Sequence, residues 1–263
     1  MESHRVVPRE PIPTIPVNQC VLYPVAPSRH VHRRRLFRRG PADPPGFDPS
    51  GVPSEPTDAR LEWNGHGYDC LVVRSTDDGW TLAFGRRDDG VESRVFRCRD
   101  GEIVDTFPAS RPVDGAIATD GTAVLTDDGD PTALDGTLEV IGSSGVVRSR
   151  DFDSNLGRPA IEPGGDLVAV VTRTPEPTVV GIDSRNGETV FERSIQNRNA
   201  RLLGFHSADG GSLLYVGVRP TADPFLALDT DGEVVWGSER YWLTRPLSER
   251  FGGLVDRLPT RGK

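Results

Sequence analysis

Glycine recurs along this chain at a nearly fixed interval. Gly101, Gly145, Gly187 and Gly232 are 44, 42 and 45 residues apart, and Gly79, Gly121, Gly165 and Gly211 run in phase with them at 42, 44 and 46. Each lies between two short runs rich in Val, Ile, Leu, Thr and aromatic residues. A period of this size marks a chain built from repeated supersecondary units. Apolar runs of four to six residues, with turn chemistry about every 8–12 residues, make those units antiparallel sheets.

The first unit can be followed residue by residue. Leu61-Glu62-Trp63 and Tyr68–Val73 flank Asn64-Gly65, a hairpin signal because both residues tolerate positive φ. Asp78-Gly79 leads into Trp80–Phe84, Asp89-Gly90 precedes Arg94–Cys98, and Asp100-Gly101 leads into Glu102–Phe107. The same order recurs three times up to Trp236, and no segment from 61 to 236 has helical periodicity. The expectation is an all-β, propeller-like array of about four four-stranded antiparallel blades.

Units three and four are sharper. Gly181-Ile-Asp183-Ser-Arg-Asn-Gly187-Glu-Thr-Val-Phe191 and Ala227-Leu-Asp229-Thr-Asp-Gly232-Glu-Val-Val-Trp236 resemble the PQQ-like β-propeller repeat. The resemblance implies that Asp183 and Asp229 bond local amides at the turn. Gly101, Gly145, Gly187 and Gly232 would supply positive φ there, and Phe191 and Trp236 would pack between neighbouring blades. In that family the repeat is structural, so no cofactor is carried over.

Outside the repeats the texture differs. Residues 1–60 hold 12 of the 23 prolines and read as a Pro-rich basic arm and linker, with one candidate strand at 17–25. Residues 61–242 form the repeat domain. Residues 243–263 form a tail, with a short amphipathic helix at 247–258. Arg240–Leu243 and the strand at 17–25 are candidate pieces for covering open sheet edges. Net charge is −8, distributed as +3 over 1–60, −14 over 61–236 and +3 over 237–263. An acidic body disfavours general nucleic-acid binding and leaves the termini as the basic surfaces. The single lysine, Lys263, among many Asp-rich turns fits a salt-adapted origin or a GC-rich genome. Cys20, Cys70 and Cys98 lack metal-binding spacing and read as buried thiols. No run of 18 apolar residues occurs, which sets the expectation of a cytoplasmic protein without a membrane partner.

Two stretches carry candidate chemistry. Arg29, Arg33, Arg34, Arg35, Arg38 and Arg39, with Phe37 among them, put six arginines in eleven residues. They suit tracking phosphates of RNA or DNA, clasping the acidic domain, or a solvated tail. Asp151, Asp153, Asn155 and Glu162 hold positions one, three, five and twelve of a calcium loop, but Leu156 stands where such a loop needs Gly. An inter-blade turn is the plainer reading of that stretch. Neither a Ser-His-Asp order, an HExxH helix nor a glycine-rich phosphate loop occurs. The expected function is a non-enzymatic platform for a protein partner. Its rivals are a nucleic-acid- or ribosome-associated protein using Arg29–Arg39, and an enzyme with a polar site at the centre of the blades.

Overall fold

The computed structural model describes residues 43–74, 78–128, 134–145, 147–208 and 211–245. Four antiparallel sheets follow one another along the chain, each with its strands in sequence order. Blade 1 is β1 (Thr57–Trp63), β2 (His66–Arg74), β3 (Trp80–Arg87), β4 (Ser93–Arg99) and β5 (Glu102–Ala109). Blade 2 is β6 (Pro112–Ile117), β7 (Ala123–Asp127), β8 (Gly136–Ile141) and β9 (Val147–Phe152). Blade 3 is β10 (Ala160–Ile161), β11 (Leu167–Thr172), β12 (Thr178–Asp183) and β13 (Thr189–Ser194). Blade 4 is β14 (Ala200–Ala208), β15 (Gly211–Val218), β16 (Pro224–Leu228) and β17 (Val234–Gly237). The architecture is the propeller-like array that the glycine period predicts. Blade 1 has five strands rather than four, and its first strand starts at Thr57, four residues earlier than the apolar run at Leu61 and inside the stretch read from sequence as linker.

The period has a conformational cause. Gly101, Gly145, Gly187 and Gly232 sit at φ of +84, +82, +78 and +80°, and each opens the turn into the outermost strand of its blade. Only glycine adopts this region without strain.

Strand alternation then distributes the apolar side chains to two faces of each blade. Leu82 and Phe84 of blade 1 meet Ala123, Leu125 and Ile141 of blade 2. Val124, Leu138 and Val140 of blade 2 meet Val168, Val170, Val180 and Ile182 of blade 3. Leu167, Ala169, Val171 and Phe191 of blade 3 meet Leu214, Val216, Leu226 and Leu228 of blade 4. Second strands such as β7 and β11 are buried on both faces for this reason, and they lack the apolar–polar alternation of a half-exposed strand. Among the described residues two faces end the array. One is Tyr68, Cys70, Val72, Phe96 and Cys98 on blade 1. The other is Leu203, Leu213, Tyr215 and Ala227 on blade 4, against which Phe47, Val52 and Trp236 also pack. Cys70 and Cys98 are buried in the first of these faces.

The chain ahead of β1 forms a strap over blade 4. The Phe47 ring lies 4.9 Å from Tyr215 and 5.0 Å from His206, and the Tyr215 hydroxyl donates to the Pro45 carbonyl. A one-turn 3-10 helix, Pro49–Gly51, is capped by Asp48, which accepts from Ser50 N at 2.8 Å. At the other terminus Arg240–Leu243 is no closing strand. It lies in helix α1 (Glu239–Thr244), capped by Ser238 accepting from Tyr241 N at 3.2 Å. Tyr241 is buried edge-on against Phe225 at 5.4 Å, so one aromatic docks the helix on blade 4 without extending its sheet. Among the described residues no helix is long and apolar enough to cross a membrane.

Candidate functional site

The inner ends of the blades converge on a cavity of about 300 Å³. Val73 of β2, Gly115–Ile117 of β6, Ala160 and Ile161 of β10, and Leu202 of β14 line it, so all four blades contribute. Ser50 to Ser54 of the strap close one side. The walls are mostly apolar, and Arg158, just before β10, brings the charge.

Arg158 is the hub of a polar network. Its Nε donates to Asp114 Oδ2 at 2.9 Å and its Nη2 to Glu55 Oε2 at 2.8 Å. Its Nη1 reaches only the Ser54 and Pro53 carbonyls, at 3.4 and 3.5 Å. These bonds are long enough to leave that donor available. Arg201 of β14 joins from blade 4, with Nη1 at 3.5 Å from Glu55 Oε1. Asp114 follows a register shift in β6 and also accepts from Gly115 N at 2.9 Å. Burial pushes its carboxyl above the ordinary aspartate range, and Arg158 opposes that shift. Each Asp114 oxygen accepts one bond and keeps acceptor capacity, so the site holds a high-pKa carboxylate beside a guanidinium.

None of Asp114, Arg158, Arg201 and Glu55 was singled out by sequence. A signal existed: Asp114, Arg158 and Arg201 are 44 and 43 residues apart, the spacing of the glycine series. Charges recurring at the repeat period next to each blade's innermost strand converge on the axis. Read singly, each is an ordinary surface residue.

The residues that sequence did single out lie elsewhere. Arg29, Arg33, Arg34, Arg35, Phe37, Arg38 and Arg39 fall outside the described residues, as do Cys20, the strand at 17–25 and the helix at 247–258. Asp151 lies within β9 and accepts from Thr137 Oγ1 at 2.9 Å, Asn155 offers its carbonyl to Arg173 N at 3.0 Å, and Glu162 starts the turn after β10. Among the described residues no three His, Cys, Asp or Glu side chains converge as a metal site, Asp151, Asp153 and Glu162 included. Asp183 Oδ1 accepts from Arg185 N at 2.7 Å, and Asp229 Oδ1 from Asp231 N and Glu233 N at 3.0 and 2.8 Å. Phe191 is buried between blades 3 and 4. Trp236 is half-buried on the end face of blade 4, where the described residues place no further blade over it.

No protein-family model matches this sequence, and no curated protein does. Prolyl oligopeptidase B from Galerina marginata is similar in structure at a TM-score of 0.39 and 15% identity, over 68% of this chain. The match spans only 33% of the oligopeptidase chain. A gluconolactonase from Xanthomonas campestris is similar at a TM-score of 0.33 and 17% identity, over 78% of this chain and 89% of its own. These two similar structures carry enzyme names, and the expectation of a non-enzymatic platform for a protein partner is not supported. At these values neither likeness assigns a substrate or a residue role to this chain.

Proposed function

We propose that the protein is an enzyme acting on a small carbonyl compound, an ester or a lactone, in the central cavity. Asp114 takes a proton from water, whose oxygen adds to the carbonyl carbon. Arg158 Nη1 hydrogen-bonds the carbonyl oxygen as charge develops on it, and the proton held by Asp114 then passes to the leaving oxygen. Arg158 also positions the base through Nε. The observation that supports this reading is the bond between Arg158, on the wall of a cavity to which every blade contributes, and Asp114, a carboxyl raised by burial next to Gly115 of that wall.

Asp114 works as a base only when ionised, so turnover should rise with pH through a value above the free aspartate pKa of about 3.9. The test is hydrolysis of p-nitrophenyl acetate and γ-butyrolactone. Asp114→Asn keeps an acceptor for Arg158 and should lower kcat by about 100-fold or more, the usual contribution of a positioned base. Equal turnover by wild type and variant, or none of either substrate by the wild type, would overturn the reading. The finer PQQ-like assignment of the blades rests on the repeats at 181–191 and 227–236.

A further inference from the structure

The edge of the central cavity carries more positive charge than the chemistry proposed there uses. Arg158 of blade 3 and Arg201 of blade 4 converge on one carboxylate, Glu55 of the strap. Glu55 Oε2 accepts from Arg158 Nη2 at 2.8 Å and Oε1 from Arg201 Nη1 at 3.5 Å, one oxygen to each guanidinium.

The three groups are not held alike. Arg158 is fixed by its Nε bond to Asp114 at 2.9 Å, and Arg201 by its Nη2 bond to the Thr221 carbonyl at 3.2 Å, so neither needs Glu55 to stay in place. Their side chains are 13 and 21% exposed, whereas that of Glu55 is 73% exposed. The arginines belong to the blades and the carboxylate to the surface. An ion pair with so exposed a partner is worth little, and Glu55 is readily displaced.

The place it leaves selects another anion. Two guanidiniums aimed at one point repel each other once the carboxylate between them has gone. Arg201 is also short of acceptors, because its Nε is buried and bonded to nothing among the described residues. The Arg173 guanidinium lies beside Gly157, next to Arg158, and makes no ion pair among the described residues. Against these three cations stand Asp114, already bound to Arg158, and Glu55 itself.

We infer that the central site takes a ligand bearing a carboxylate, which replaces Glu55 between Arg158 and Arg201. Glu55 is the internal competitor that holds the place until the ligand arrives. The rest of the ligand lies in the cavity that Arg158 lines, where Val52 and Phe205 are only half-buried and leave apolar surface to meet it. As a statement about binding this stands by itself. As a statement about the substrate it rests on the activity proposed above: the carboxylate then sits on Nη2 of the guanidinium whose Nη1 meets the reacting carbonyl, and the two groups are a few bonds apart.

Butyrate is the probe, followed by amide NMR titration of the full chain, with butyramide as its uncharged counterpart. The expected result is saturable shifts centred on Ser54, Gly115, Arg158 and Arg201. Butyramide should bind at least about fivefold more weakly, the worth of one exposed ion pair. Glu55→Gln removes the charge of the competitor and keeps its size, and should strengthen butyrate binding about fivefold. Arg201→Ser should weaken it by about the same factor. A merely structural bridge would instead lower the urea midpoint of Glu55→Gln and leave its affinity for butyrate unchanged. That result, equal affinity for the two probes, shifts centred elsewhere, or no saturable binding by either wild type or Glu55→Gln would overturn the inference. Should Arg201→Ser fail to fold, Glu55→Gln and butyramide decide it. Butyrate binding without hydrolysis of either test substrate would strike the proposed activity and leave the carboxylate site standing.

Discussion

Arg97 is 1% exposed, and every one of its five N–H donors is used. Nε and Nη2 bind Asp105, Nη1 donates to the Gly121 and Gly142 carbonyls at 2.8 and 2.7 Å, and Nη2 also reaches the Ser143 carbonyl at 3.2 Å. The Trp80 ring lies 5.4 Å from its guanidinium carbon. A charge on blade 1 thereby satisfies three carbonyls of blade 2, which a hydrocarbon in the same place would leave bare. Arg97→Leu should cost about 3–5 kcal/mol, since it strands a carboxylate and three carbonyls. Asp105→Asn keeps the carbonyl bonds and should cost about 1–2 kcal/mol. Urea denaturation measures both, and equal costs would show that the pair itself, rather than the clamp on blade 2, carries the energy. In sequence Arg97 is one arginine in Ser-Arg-Val-Phe-Arg-Cys-Arg. Its burial follows from strand phase, because Arg97 points to the same side as Leu82, into the seam.

The elements repeat less uniformly than the glycines suggest. Gly-Glu-x-Val followed by Asp, Phe or Trp occurs after Gly101, Gly187 and Gly232, and those three turns lead into bulged strands. Gly145 is followed by Val-Val-Arg-Ser, and there the ladder runs without a shift. The two aromatics of the motif also differ in circumstance. Phe191 lies in a seam between two blades, whereas Trp236 is half-buried on the end face of blade 4, on the cluster that Phe47 and Val52 of the strap also meet. Phe191→Ala should therefore cost about 3–5 kcal/mol, as for deeply buried rings. Trp236→Ala should cost about 1–2 kcal/mol, because part of its surface is already in water. Matching midpoints for the two variants would mean that their environments are alike and that Trp236 is covered as deeply as Phe191.

At the scale of the whole molecule, the strap makes one end of the array sensitive to pH. His206 is buried beneath it, 5.2 Å from the Tyr215 ring, and burial holds its pKa below the ordinary histidine value. A depressed folded pKa gives stability that is present above the unfolded value of about 6.5 and is lost as pH falls through the folded one. Acidification below about pH 6.5 should lower the urea midpoint, and His206→Gln should remove that part of the slope. Identical slopes for the two proteins between pH 7 and 5 would place the acid sensitivity elsewhere. At the alkaline end the signs reverse. Tyr68 and Tyr215 are pushed up to about 12, by burial in both cases and for Tyr68 also by its bond to Glu92. Their contribution is intact below about pH 10 and is lost as pH rises through about 12.

The sequence by itself determined the repeat, the all-β class and the turn positions, because these depend on local physics. A glycine at positive φ, an Asx turn and a four-to-six-residue apolar run are legible wherever they occur. What only the tertiary structure decided depends on which side of a strand a residue faces and on what the neighbouring blade places opposite it. A single bulge reverses the facing of everything beyond it, so Arg148 and Phe191 come to equivalent places from different distances after their glycines. The central site was hidden for the same reason. Asp114, Arg158 and Arg201 are one repeat apart in the chain and meet only because the blades turn each innermost strand toward a common axis. Helix α1 also escaped, since a one-turn helix leaves no periodicity to read and is held by a single buried ring, Tyr241, whose contact with Phe225 exists only in the folded molecule.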